Sequence, residues 1–74
     1  MEFEFIREIF NSCSGNQMRD VFVEEIETDN TDAYIKKYLI GTDIECDKHI
    51  KDDGTVIYDV VINGLKQRFS FTPI

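Results

Sequence analysis

Residues 55–72 read TVIYDVVINGLKQRFSFT, two runs rich in β-branched and aromatic residues on either side of Asn63-Gly64. A two-residue type I′ turn needs positive φ at both central positions, which Asn and Gly tolerate best, so a β-hairpin is expected here. The turn sets the register. Ile62 faces Leu65, Val60 faces Gln67, Tyr58 faces Phe69 and Val56 faces Phe71 on one side of the ribbon. On the other side Val61 faces Lys66, Asp59 faces Arg68, Ile57 faces Ser70 and Thr55 faces Thr72. The first set is the core face and the second is mostly wet.

Immediately upstream, residues 44–51 alternate, with Ile44, Cys46 and Ile50 on one side and Glu45, Asp47, His49 and Lys51 on the other. Asp52-Asp53-Gly54 suits a three-residue hairpin loop with glycine in the left-handed position. That loop sets Lys51 opposite Thr55, Ile50 opposite Val56, Cys46 opposite Val60 and Ile44 opposite Ile62. Both loops, read independently, turn the same apolar face inward, and a one-residue error in either would scramble the agreement. Lys48 beside Tyr58 and Gln67 beside Val60 break the inner face. An inward lysine protects a strand from pairing with other chains, so residues 44–51 are expected at the edge of the sheet.

Further toward the N-terminus, Thr28-Asp29-Asn30-Thr31-Asp32 is a run of helix-capping types, and Ala33, Tyr34, Ile35, Tyr38 and Leu39 follow at helical spacing until Gly41. Lys36 and Lys37 fall on the opposite side of this helix. Residues 17–28 read as a strand beside residues 68–72, with a bulge near Glu24-Glu25 that would bring Val21, Val23 and Ile26 to one face, and with helix as the alternative. In residues 1–14, Phe3 and Phe5 alternate like a strand. The helical template nevertheless gathers more positions, namely Phe3, Phe5, Ile6, Ile9, Phe10 and Cys13. Glu2 and Glu4 suit the positive end of a helix dipole and Gly15 suits its C-terminal cap, so a helix is expected. The fold class predicted is α+β, an antiparallel three- to four-stranded sheet in the order α-β-α-β-β-β, with two helices on its apolar face and residues 1–74 as one domain.

Fifteen acidic residues against eight basic ones give a formal charge of −7, which repels phosphate backbones and anionic lipid heads. Direct nucleic-acid binding is not expected. No apolar run approaches a signal or membrane-spanning segment, because Glu2, Glu4, Arg7 and Glu8 interrupt the N-terminal one. A cytoplasmic protein with Cys13 and Cys46 as thiols is therefore expected.

The residues assemble no recognised chemistry. Cys46 and His49 point to opposite sides of one strand, and the pairing of Cys13 with His49 has only their presence to recommend it. Asp43, Glu45, Asp47 and His49 with Asp59 carry metal-ligand types, but no calcium-loop or zinc spacing orders them, and a solvated charged face accounts for them better. No catalytic residue, cofactor or metal is expected, and a thiol- or metal-dependent enzyme is disfavoured. The remaining signal is six acids without an intervening Lys or Arg, Asp20, Glu24, Glu25, Glu27, Asp29 and Asp32. They form a candidate docking patch for a basic protein. The expected function is a small acidic interaction or accessory module without catalysis, with an acidic mimic of nucleic acid as the alternative.

The turn supplies the first test. Gly64→Val should destabilise by roughly 1–2 kcal/mol, since a β-branched residue is strained at positive φ. An unchanged thermal melt would remove the Asn63-Gly64 hairpin and its register.

Overall fold

The computed structural model describes residues 1–13 and 16–74, with side chains described outside residues 11–19. Its five strands are β1 (Glu2–Cys13), β2 (Asn16–Glu27), β3 (Ile44–Ile50), β4 (Val56–Ile62) and β5 (Leu65–Pro73). They form one antiparallel sheet in the order β2-β1-β5-β4-β3. Between β2 and β3 lies a single short helix, α1 (Thr31–Ile35), continued by a 3-10 turn over Lys36–Tyr38.

The C-terminal meander follows local turn chemistry. Asn63 and Gly64 have φ of 50° and 81°, as a type I′ turn requires. Ile62 pairs with Leu65, Val60 with Gln67, Tyr58 with Phe69 and Val56 with Phe71. Gly54 has φ of 89°, and the Lys51 amide donates to the Thr55 carbonyl at 2.8 Å, closing the three-residue loop. Beyond it Ile50 pairs with Val56, Cys46 with Val60 and Ile44 with Ile62. β3 is an edge strand, as the inward Lys48 led us to expect.

The N-terminal half corrects the predicted α+β arrangement of two helices on a three- to four-stranded sheet. The helix expected over residues 1–14 is absent from residues 1–13. Glu2–Cys13 is a strand inserted between β2 and β5, so the order is β-β-α-β-β-β and β2 does not touch β5. The physical reason is pairing. β5 needs a partner along its second edge, and β1 supplies one from Phe3 opposite Pro73 to Phe10 opposite Lys66. Aromatic and β-branched residues fit a pleated central strand better than a helix. Alternation then splits the apolar set, with Phe3 and Phe5 buried on the inner face and Ile6 and Phe10 half-buried on the outer one. The expected bulge near Glu24-Glu25 is also absent, since the β1–β2 register runs unbroken through Phe5 with Glu24 and Glu4 with Glu25. Ile26 therefore faces inward, while Val21 and Val23 face outward. The cap expected at Gly15 lies outside the described residues.

The one helix starts at the cap, where Asn30 Oδ1 accepts from the Ala33 amide at 3.1 Å. Ile35 is buried beneath it, with Tyr34, Tyr38 and Leu39 packed against the same core. Phe5, Phe69 and Phe71 form the floor. The Phe5 ring lies 4.9 Å from Phe71 and Phe69 lies 5.3 Å from Tyr38, both tilted, while Phe5 meets Tyr34 edge-on at 5.3 Å.

The two faces should respond differently to truncation. Phe69 is 0% exposed and Arg68, on the other face, has a 40% exposed side chain. Phe69→Ala should cost about 3–5 kcal/mol and Arg68→Ala less than about 1 kcal/mol in denaturant titrations. Equal losses would mean that the faces are reversed.

Candidate functional site

The two edges of the sheet are built differently. β3 is short and carries Glu45, Asp47, Lys48 and His49. Lys48 leans over the helix side, with Nζ 3.2 Å from Asp32 Oδ1 and 5.8 Å from the Tyr58 ring. Charge guards that edge. β2 is a 12-residue edge strand whose middle presents Val21, Phe22 and Val23, 49%, 55% and 63% exposed. Three consecutive exposed apolar residues on an unpaired strand edge are unusual in a monomer, because such an edge templates further pairing.

The ladder phase shows which groups are open. The Thr28 amide donates to the Met1 carbonyl at 3.0 Å. Antiparallel pairs alternate between bonded and non-bonded, so even-numbered β2 residues bond to β1. Val21, Val23 and Glu25 consequently direct their N–H and C=O groups away from the sheet.

The six acids expected to form one patch are dispersed. Asp20 and Glu24 fall on the helix side of β2, and Glu25 and Glu27 on the other, because alternation separates neighbours in a strand. Asp29 accepts from the Met1 ammonium at 3.2 Å. Asp32 is drawn to the opposite edge, where it accepts from Lys48 and Tyr58. Four of the six thus remain at the β2 edge. Strand pairing also brings acids of β1 into the neighbourhood, with Glu2 opposite Glu27 and Glu4 opposite Glu25. Reading residues 1–14 as a helix hid those two like-charge pairs, each of which weakens the sheet slightly. Among the described residues, a depression of about 220 Å³ lies there, lined by Glu2, Glu25, Ile26, Glu27 and Ile74. It is smaller than the roughly 300–1,000 Å³ of small-molecule sites.

Two polar clusters on the inner face are structural. Arg7 lies 4.8 Å from the Tyr38 ring and 5.9 Å from both Phe22 and Phe69, and donates to Gln67 Oε1 at 3.3 Å. That bond satisfies the side-chain oxygen of the buried Gln67, the position that breaks the apolar pattern of β5. In the second cluster Tyr58 donates to Asp32, which leaves Thr31 Oγ1, 2.7 Å away, to donate to the Tyr58 oxygen. Burial first, then the bond to Asp32, pushes the Tyr58 hydroxyl up to about 12. The bond from Tyr58, followed by that from Lys48, lowers the Asp32 carboxyl.

The candidate chemical residues stay apart. Cys46 and His49 occupy opposite faces of β3, and partial desolvation, with Asp47 and Asp32 behind it, raises the Cys46 thiol, which opposes thiolate formation. The Cys13 side chain lies outside the described residues. Asp47 stands opposite Asp59, whose Oδ1 accepts from Arg68 Nε at 2.9 Å. Among the described residues no group of His, Cys, Asp and Glu is arranged to hold a metal ion, and no helix is long and apolar enough to cross a membrane.

Comparison of the chain with protein-family models, with curated proteins and with solved structures finds no match.

The Tyr58 cluster predicts a pH response. A folded-state pKa raised above that of the unfolded chain stabilises fully below the unfolded value, about 10, and the stabilisation is lost as pH rises toward about 12. Urea midpoints should fall over that window, and Tyr58→Phe should shrink the fall, leaving the share of Tyr38, which burial also raises, while costing about 1 kcal/mol at neutral pH through loss of the bond to Asp32. A Tyr58→Phe variant with the parent's alkaline profile would exclude the cluster as its source. Asp32, being lowered, contributes stability above the usual carboxylate range that is lost as pH falls through its folded pKa.

Proposed function

We propose that this chain is a small, non-catalytic protein-interaction module whose contact element is the open edge of β2. The observation that carries the proposal is the run Val21–Phe22–Val23, exposed on both faces of an edge strand whose outer side is open, while the opposite edge is guarded by Lys48 and its acidic neighbours. An extended segment adding to this edge would gain main-chain hydrogen bonds from Val21, Val23 and Glu25, and would bury apolar side chains on alternate positions. Asp20, Glu24, Glu25 and Glu27 surround the run and select a partner of basic character, acting mainly on the rate of encounter. Asp29 and Asp32 are engaged within the fold and contribute less. A cytoplasmic setting suits this reading, since Cys46 is a free and exposed thiol.

The test is affinity capture from the native cytoplasm at two salt concentrations, repeated with Val23→Lys. This change places a charge on the open edge at a 63% exposed position, and should leave stability within about 0.5 kcal/mol while abolishing capture. Reversing Glu24, Glu25 and Glu27 to lysine should slow association and flatten its salt dependence. Capture that survives Val23→Lys would reject the β2 edge as the contact element. Release of the captured protein by competing DNA would instead favour mimicry of nucleic acid.

A further inference from the structure

We infer that the β2 edge pairs with the β2 edge of a second copy, in an antiparallel register centred on Phe22, to make a continuous ten-stranded sheet. The inference rests on the reading of β2 as the contact element and names a second copy as the occupant of that edge in the free protein, for which a basic segment would have to compete. The apolar run on this edge is self-complementary. A two-fold axis perpendicular to the sheet keeps the two outer faces on one side, so residues opposed across the axis must share a face. With Phe22 on the axis, Val21 of each copy opposes Val23 of the other, and the two Phe22 side chains adjoin on the helix side. Slipping the register by two residues in one direction sets Phe22 against Glu24 and Val21 against Glu25. Slipping it in the other sets Phe22 against Asp20. Only the centred register matches the apolar run with itself.

The backbone phase agrees. Val21 and Val23 are the residues whose N–H and C=O groups point outward, so they would exchange both hydrogen bonds with their counterparts. Phe22 would form the non-bonded close pair, where Cα atoms approach to about 4.5 Å. The assembly closes at two, because pairing consumes both β2 edges and leaves β3 outermost on each side, with Lys48 and its acids facing solvent. The unfavourable element is Asp20 opposite Glu24, a like-charge pair made twice, on top of a formal charge of −7 per chain. Lys37, whose ammonium feels the Glu24 carboxylate, lies on the same side of the sheet and offsets part of that repulsion. The dimer should accordingly tighten as salt rises, because screening removes repulsion while leaving apolar contact and main-chain bonds intact.

The test combines mass with cross-linking. Sedimentation equilibrium should give a mass that rises with concentration toward twice that of the chain, with a smaller dissociation constant at 500 mM than at 50 mM salt. In a Cys13→Ser, Cys46→Ser background, Phe22→Cys should form an intermolecular disulfide with oxidised glutathione. Should loss of the Phe22 rings weaken pairing, an equimolar mixture of Val21→Cys and Val23→Cys chains provides a second reading. The mixture should cross-link in the mixed combination, whereas Val21→Cys alone should not, its Cα atoms lying beyond the roughly 7 Å a disulfide tolerates. Amide exchange at Val21 and Val23 should slow with concentration. A chain that stays monomeric up to millimolar concentration in high salt, or a dimer whose Val21 and Val23 amides remain fast, overturns the inference. Either result leaves the interaction reading to be decided by the capture experiment with Val23→Lys, and survival of capture in that variant would leave the cross-linking result standing.

Discussion

The pairing of β1 with β5 is the contact on which the rest of the structure depends. It sets Phe5 opposite Phe71 and Phe3 opposite Pro73, and completes an aromatic floor to which the meander alone contributes Tyr58, Phe69 and Phe71. Tyr34, Ile35 and Tyr38 pack onto that floor, so a short helix that would be marginal alone is held by burial. A chain of this length buries only about 60% of the surface its unfolded form exposes, and its buried described residues form one cluster. Removing β1 would expose one edge of β5 and half of the surface that retains the helix.

Insertion of β1 also transfers the edge. The strand that would have lain beside β5 is displaced outward, and β2 becomes the boundary of the sheet with Val21, Phe22 and Val23 in the open. The opposite boundary is short and charged. This asymmetry leaves one edge open to a further strand and the other guarded by charge.

Among the described residues no buried side-chain polar atom lacks a hydrogen-bond partner. Gln67 is buried between β1 and β4 and accepts from Arg7, whose guanidinium lies against three aromatic rings. Tyr58 is joined to Thr31 and Asp32 at the start of the helix. Lys48 reaches the same carboxylate from β3, so one Asp32 side chain ties helix, β4 and edge strand together. Each pair orients elements that hydrophobic burial, being non-directional, leaves free to slide.

Turn chemistry made the C-terminal half legible in the sequence. Asn63, Gly64 and Gly54 hold positive φ for local steric reasons, and two loops of known length then determine every pairing from Ile44 to Phe71. The capping run before Ala33 likewise located the helix, since a cap is satisfied within a few residues of itself. Residues 1–14 offered no such local determinant. Their apolar positions satisfy helical and strand periodicity together, and the choice was made by the free edge of β5, more than fifty residues away in the chain. The candidate site was legible only in part. Charge counting found the acids of residues 20–32, but regular alternation along β2, without the expected bulge, and the placement of Asp32 beside Lys48 at the opposite edge separated them in space. The open edge itself could not be read beforehand, because whether a strand is central or terminal depends on which other strands pair with it.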